Sequence, residues 1–186
     1  MTQKTVGFVG LGDMGLGMAG NLIKNGFPVI GYDLRDERMA MLEEAGGQRT
    51  GGCAEIGGKA DAVFVMVLNG AQAFQVVAGP GGLLETLKPG ATIIVSATIS
   101  PAEVCAVEAA ADAKGVHLID TPVSGGLGGA QGGTLTLMAA GKAAVLDENR
   151  PVLEAVSAKI FHVGEDIGAG QTVKGALQIL IGTTFA

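Results

Sequence analysis

The sequence predicts a doubly wound α/β protein, a mostly parallel sheet with helices on both faces. Three observations predict it. Short apolar runs alternate with helical periods up to about residue 120. The run AVFVMVL (62–68) is apolar at every position, as a strand buried on both faces must be. A glycine cluster, GLGDMGLGMAG (10–20), stands where the first strand gives way to the first helix.

Taken in order, VGFVG (6–10) is the first strand, and Met14, Met18, Leu22 and Ile23 mark the helix after it. PVIGYD (28–33) is the second strand, and RDERMAMLEEAG (35–46) is an amphipathic helix stopped by Gly46. DAVFVMVL (61–68) is the central strand, followed by a helix near 71–78. TIIVSA (92–97) is the next strand. PAEVCAVEAAADAKG (101–115) is a helix, with Pro101 suited to its first turn and Gly115 to its stop. VHLID (116–120) is a further strand. TPVSGGLGGAQGG (121–133) reads as a glycine-rich loop, and TLTLMAAG (134–141) alternates like a half-exposed strand near a sheet edge. A helix over roughly 143–157 and the strand AKIFHVG (158–164) complete an additional αβ unit.

The final stretch, GAGQTVKGALQILIGTTFA (168–186), reads as a helix apolar around nearly its whole circumference. Val173, Ala176, Leu177, Ile179, Leu180, Ile181 and Phe185 supply that surface, which needs burial on all sides. The chain therefore divides into 1–165, one domain, and 166–186, the start of a helix whose packing partner is absent, as in a fragment or an obligate oligomer.

Composition excludes several classes. With 186 residues, 48% apolar and 16% charged, the chain has the material for one globular domain. A net charge of −6 with no basic stripe argues against nucleic acid. No run is long enough to span a membrane, and MTQKTVGFVG enters a strand with no apolar signal core, so a cytoplasmic protein is expected. Cys53 and Cys105 read as small buried thiols, and His117 and His162 as structural residues within strands. No cluster of His, Cys or acids has metal-ligand spacing. Ser124 stands in VSGG, which is no nucleophile elbow, so a hydrolase is disfavoured.

The pattern G-x-G-x-x-G fits twice, at Gly10/Gly12/Gly15 and at Gly15/Gly17/Gly20. Only the first frame has the strand-turn-helix setting of a dinucleotide site, where the three glycines make the turn, admit a pyrophosphate and let helix meet strand. Gly17 and Gly20 read as packing residues on the helix. Asp33, ending the second strand, is placed to accept the adenosine ribose hydroxyls, which favours NAD over NADP. Arg35 points the other way, since an arginine there accommodates a 2′-phosphate.

GFVGLGDMG, DTPVSGG and GAGQTVK, in this order, resemble the β-hydroxyacid dehydrogenase family, which includes 3-hydroxyisobutyrate and 6-phosphogluconate dehydrogenases. The resemblance implies a Rossmann-type NAD-binding domain at 1–165, then an interdomain helix leading to an all-α dimerisation domain. It places Gly10, Leu11, Gly12, Asp13, Met14 and Gly15 at the pyrophosphate, and Asp33, Leu34 and Arg35 at the adenosine ribose. It lines the cofactor with Leu68, Asn69 and Ala73, and sets Thr98 on the nicotinamide side. Ser124, Gly125, Gly126 and Gln178 are the implied substrate contacts, and Lys174 the implied catalytic lysine.

The chemistry of these residues agrees with that assignment. Leu68, Thr98 and Ser124 follow carboxyl ends of strands, where open α/β sheets bind ligands. Lys174 is the only charged residue between Asp166 and Ala186, on a face shared with Gln178. Desolvation would lower its pKa and suit it to take a hydroxyl proton. Asn69, Gln178 and VSATIS bring the pattern closest to the L-threonate dehydrogenase branch, whose substrates are sugar acids. The expected activity is NAD-dependent oxidation of a small hydroxy acid by a full-length homodimer or homotetramer, with no metal. A non-catalytic dinucleotide-binding module and an inactive fragment share the same features.

Overall fold

The computed structural model describes residues 4–184 and contains one nine-stranded sheet. β1 (Val6–Val9), β2 (Val29–Tyr32), β3 (Gln48–Arg49), β4 (Ala62–Val65), β5 (Thr92–Val95) and β6 (His117–Asp120) run parallel in the order β3-β2-β1-β4-β5-β6. Strand order reverses beside β1, which puts a ligand crevice at the carboxyl ends of β1 and β4. β7 (Val123–Ser124), β8 (Leu135–Ala140) and β9 (Ser157–Gly164) extend the sheet, β8 running antiparallel to β6 and β7 and parallel to β9.

Eight α-helices are described, α1 (Asp13–Lys24), α2 (Asp36–Glu44), α3 (Cys53–Gly57), α4 (Gly70–Ala78), α5 (Pro101–Asp112), α6 (Gly126–Gly132), α7 (Ala143–Glu154) and α8 (Ala169–Thr184), with one 3-10 turn at Leu83–Glu85. The strict alternation of strand side chains divides the core into two layers. Phe8, Phe64, Ile94 and Ile119 pack with Met18 and Leu22 of α1, Leu42 of α2 and Leu153 of α7. Val63, Val65, Ile93 and Val95 pack with Ile56 of α3, Val77 of α4 and Val107 of α5. Phe8 and Phe64 stack with ring centroids 5.3 Å apart, worth about 0.5–1.5 kcal/mol beyond their burial. None of the helices is long and apolar enough to cross a membrane.

The doubly wound expectation holds, and several local expectations do not. β3 and α3, between Gly47 and Gly58, have too short a period to read. The glycine-rich stretch after β6 is not simply a loop, because it holds β7 and α6. Its helix is enforced from outside: buried Asn21 on α1 donates from Nδ2 to the carbonyl of Ala130 at 2.6 Å. Gly17 completes the contact, since a Cβ there would lie 2.9 Å from the Ala130 carbonyl carbon. Gly17 is thus a packing residue as expected, whereas Gly20 faces open space.

β8 is buried except at Thr136, because β9 pairs with it and continues the sheet. The edge position belongs to β9. Cys53 is buried, and burial pushes its thiol up to about 11, but Cys105 is exposed on α5 and donates to the Ile167 carbonyl at 3.3 Å. Along α8, Val173, Ile179, Leu180 and Ile181 are exposed among the described residues, and Phe185 lies outside them.

The two helix glycines give opposite expectations. Gly17→Ala should lower the urea midpoint by an amount equivalent to about 1–3 kcal/mol, through overpacking against α6. Gly20→Ala should raise stability by about 0.5–1 kcal/mol, through reduced backbone entropy alone.

Candidate functional site

The turn from β1 into α1 uses its three glycines differently. Gly10 has φ +91°, and a Cβ there would strike the Met66 carbonyl. A Cβ on Gly15 would strike the Gly10 carbonyl and crowd the Phe8 ring. At Gly12 the nearest atom to an added Cβ is Arg35 Nη2, 3.9 Å away, so this face of the turn is open. No side chain caps the N-terminus of α1. Its first N–H groups and the positive end of the helix dipole are therefore available to an anion, and a Cβ on Gly12 would obstruct the approach.

Leu11 departs from the sequence assignment. Its side chain is fully buried in the core, and its N–H donates to Asp33 Oδ2 at 2.8 Å, so neither is free for a diphosphate. Met14 packs partly buried against the core, and the exposed Asp13 carboxylate pairs with Arg38 Nη1 at 2.8 Å.

Asp33, the residue after β2, pins this turn through the Leu11 N–H. Its Oδ1 also accepts from the Arg35 N–H at 3.0 Å and from Arg35 Nε at 3.1 Å. Burial alone would raise its pKa, but the bonds from Arg35 and Leu11 outweigh it and hold the carboxyl below its usual range. The Arg35 side chain, about half exposed, covers a carboxylate whose side chain is 10% exposed. A sugar reaching Asp33 therefore has to displace that guanidinium.

Two leucines flank the crevice almost wholly in solvent, Leu34 after β2 at 87% and Leu68 after β4 at 86% exposure. Asn69 caps α4, its Oδ1 accepting from the Gln72 N–H at 2.9 Å. Ala73 is fully buried inside α4 and cannot touch a ligand in the crevice, which corrects its assignment to the cofactor. Thr98 is exposed in the turn after β5. Ser124 is half-buried in β7, followed by exposed Gly125 and Gly126 with φ +134° and +60°, a backbone that other residues rarely adopt.

Lys174 is buried although Val173 and Gly175 beside it are exposed. Burial lowers its pKa below the ordinary lysine range, and no carboxylate pairs with it among the described residues. Gln178, one turn further on, is exposed.

Two residues escaped the sequence reading although both stand in the quoted motifs. Asp120, the last residue of β6, is fully buried and accepts from the N–H of Gly168 at 3.0 Å and of Gln171 at 3.2 Å. Burial raises its pKa, and these bonds oppose that effect. Gln171 donates from Nε2 to Asp120 Oδ1 at 2.8 Å and to the Ala97 carbonyl at 3.0 Å, and accepts from the Ile99 N–H at 3.0 Å. A polar residue ending a buried strand was the available signal. Its partner 51 residues later was not readable. His117 and His162 lie in strands, His162 Nε2 being 2.9 Å from the Gly141 carbonyl oxygen.

Residues 5–164 match the family described as the NAD binding domain of 6-phosphogluconate dehydrogenase. The chain is 39% identical over 182 residues to an L-threonate dehydrogenase of Escherichia coli K12, covering 97% of this chain and 60% of that protein. It is 37% identical over 181 residues to a 2-(hydroxymethyl)glutarate dehydrogenase of Eubacterium barkeri, again covering 97% and 60%. A crystal structure of a 3-hydroxyisobutyrate dehydrogenase from Salmonella typhimurium superposes with a TM-score of 0.91 at 37% identity, over 97% of this chain and 63% of that one. The chain thus spans about 60% of the length of these curated relatives.

The depressed lysine has a signature in stability. Below its folded-state pKa the buried ammonium costs stability in full. As pH rises through that value toward the unfolded-state one, the folded form sheds its proton first and the cost is relieved. Lys174→Met should accordingly be more stable than the parent near neutrality, with the gap closing at alkaline pH, as read from urea midpoints across that range.

Proposed function

The chain belongs to the family of the NAD binding domain of 6-phosphogluconate dehydrogenase, and on that footing we propose that it is the cofactor-binding part of an NAD-dependent dehydrogenase of small hydroxy acids. The relatives' names support a substrate of the 3-hydroxyisobutyrate kind or a sugar acid such as L-threonate. The observation that carries the reading is Lys174, a buried cation without a carboxylate partner among the described residues, on a helix anchored at the carboxyl ends of β5 and β6.

In this reading the uncapped N-terminus of α1, with Gly12 open beside it, holds the diphosphate. Asp33 takes the adenosine ribose once Arg35 swings aside, and Leu34 and Leu68 offer apolar cover to the flat rings. Bound there, the nicotinamide would supply a two-electron acceptor for the substrate carbinol. Ser124 Oγ and the N–H groups of Gly125 and Gly126 orient the substrate carboxylate. The Lys174 amine, neutral in a larger fraction than an exposed lysine would be, takes the hydroxyl proton as the carbinol becomes a carbonyl. Gln178 extends the same helical face toward the substrate. The domain boundary falls at 165/166, α8 being the start of a helix to an all-α domain, and its exposed Ile179, Leu180 and Ile181 support that. A cytoplasmic location and a homo-oligomeric full-length protein accompany this reading.

Lys174→Ala in the full-length protein should lower turnover about 10²- to 10⁴-fold while calorimetry still records NADH uptake. Undiminished turnover would remove Lys174 from the chemistry. Asp33→Ala should weaken NAD binding to the 186-residue chain by roughly tenfold, through loss of a charge-assisted hydrogen bond and of the pin on the glycine turn. Failure of the folded parent chain to take up either nicotinamide nucleotide would refute the dinucleotide site itself.

A further inference from the structure

Thr98 and Lys174 lie 76 positions apart in the chain, yet one side chain touches the supports of both. Gln171 grips the backbone on either side of Thr98, donating to the Ala97 carbonyl at 3.0 Å and accepting from the Ile99 N–H at 3.0 Å. It belongs to α8, three residues before Lys174 and therefore nearly one turn away on the same face. We propose that Gln171, oriented by Asp120, is a positioning residue that sets the geometry of Lys174 relative to the Thr98 turn. The inference rests on the role given to Lys174 above.

The polarity of the arrangement is specific. A primary amide has one donor end and one acceptor end, and Gln171 needs both, because the Ala97 carbonyl accepts and the Ile99 N–H donates. Asp120 decides which end faces which way. Its carboxylate accepts only, so Oδ1 draws the Nε2 end of the amide toward itself and the Ala97 carbonyl. Oε1 is thereby left facing Ile99. The other carboxylate oxygen accepts from the Gly168 and Gln171 N–H groups, which fastens the first turn of α8 to the end of β6. Gly170 allows this closeness, because a Cβ there would lie 2.9 Å from Asp120 Oδ2. All three groups are shielded from water, Asp120 and Gln171 being buried and Ile99 9% exposed, so solvent does not replace a bond that is lost. An error in the seating of α8 therefore becomes an error in the position of Lys174, and misplacement by about 1 Å can cost on the order of 10²-fold in rate.

Asp120→Asn tests the coupling without altering Gln171. Asparagine keeps the shape but sets a donor against the Gln171 amide, so the amide loses its fixed sense. In the 186-residue chain, exchange of the Ile99 amide should quicken by about tenfold together with that of Gly168, while amides of β1 and β2 are unchanged. An Ile99 amide as protected as in the parent would overturn the proposal. In the full-length protein, Asp120→Asn and Gln171→Met should each lower kcat by about ten- to a hundredfold, with the Kd for NAD within about threefold of the parent. The kinetic isotope effect with substrate deuterated at the carbinol carbon should increase, a change that a smaller folded fraction does not produce. Parent kcat in Asp120→Asn, alongside an inactive Lys174→Ala, would overturn the positioning role and leave the proposed function standing. Parent turnover in Lys174→Ala would overturn both.

Discussion

A carboxylate with no exposed surface joins the ends of β5 and β6 to the start of α8. Stripping a carboxylate of water costs several kcal/mol unless donors replace the water, and Asp120 meets donors from two sources. Two are backbone N–H groups at the start of α8, where the helix has no partners of its own, and the third is the Gln171 amide. Every one comes from a segment distant in sequence. The end of β6 and the beginning of α8 are consequently one unit, and the Thr98 turn is attached to it through Gln171.

The opposite end of the crevice is arranged by a different constraint. Gly10 must adopt positive φ beneath the Met66 carbonyl, and Gly15 must let α1 approach that turn, so neither position tolerates a side chain. Asp33 then ties the turn to β2 through the Leu11 N–H. Arg35 on Asp33 and Arg38 on Asp13 neutralise the acids around the mouth. Each pair has one partly exposed partner, Arg35 in the first and Asp13 in the second.

Much of this was readable from local pattern. The parallel strands are short, apolar on both faces and separated by helices with ordinary starts and stops, and Ser100 with Glu103 forms the capping box that opens α5. The turn made by Gly10, Gly12 and Gly15 was legible because its strand-turn-helix setting depends on neighbours in sequence. Where tertiary contact decides the outcome, local pattern failed. TLTLMAAG alternates like an edge strand, yet β9, which follows it in sequence, takes the edge and buries it. The burial of Ala73 and Leu11 was not legible, since helix phase and the turn send both side chains into the core. Lys174 was identifiable by its isolation among apolar residues. Asp120 and Gln171 were not, because a buried polar residue declares its purpose only through its partner.

The helix that follows Ser124 has borrowed its order. Of the seven residues of α6, four are glycine, and each costs a helix roughly 1 kcal/mol relative to alanine, so this segment alone would be a coil. The amide of Asn21 and the bare backbone at Gly17 supply what the sequence withholds. Ser124, Gly125 and Gly126 stand at its entrance, so their positions depend on α1 as well as on the strand that precedes them.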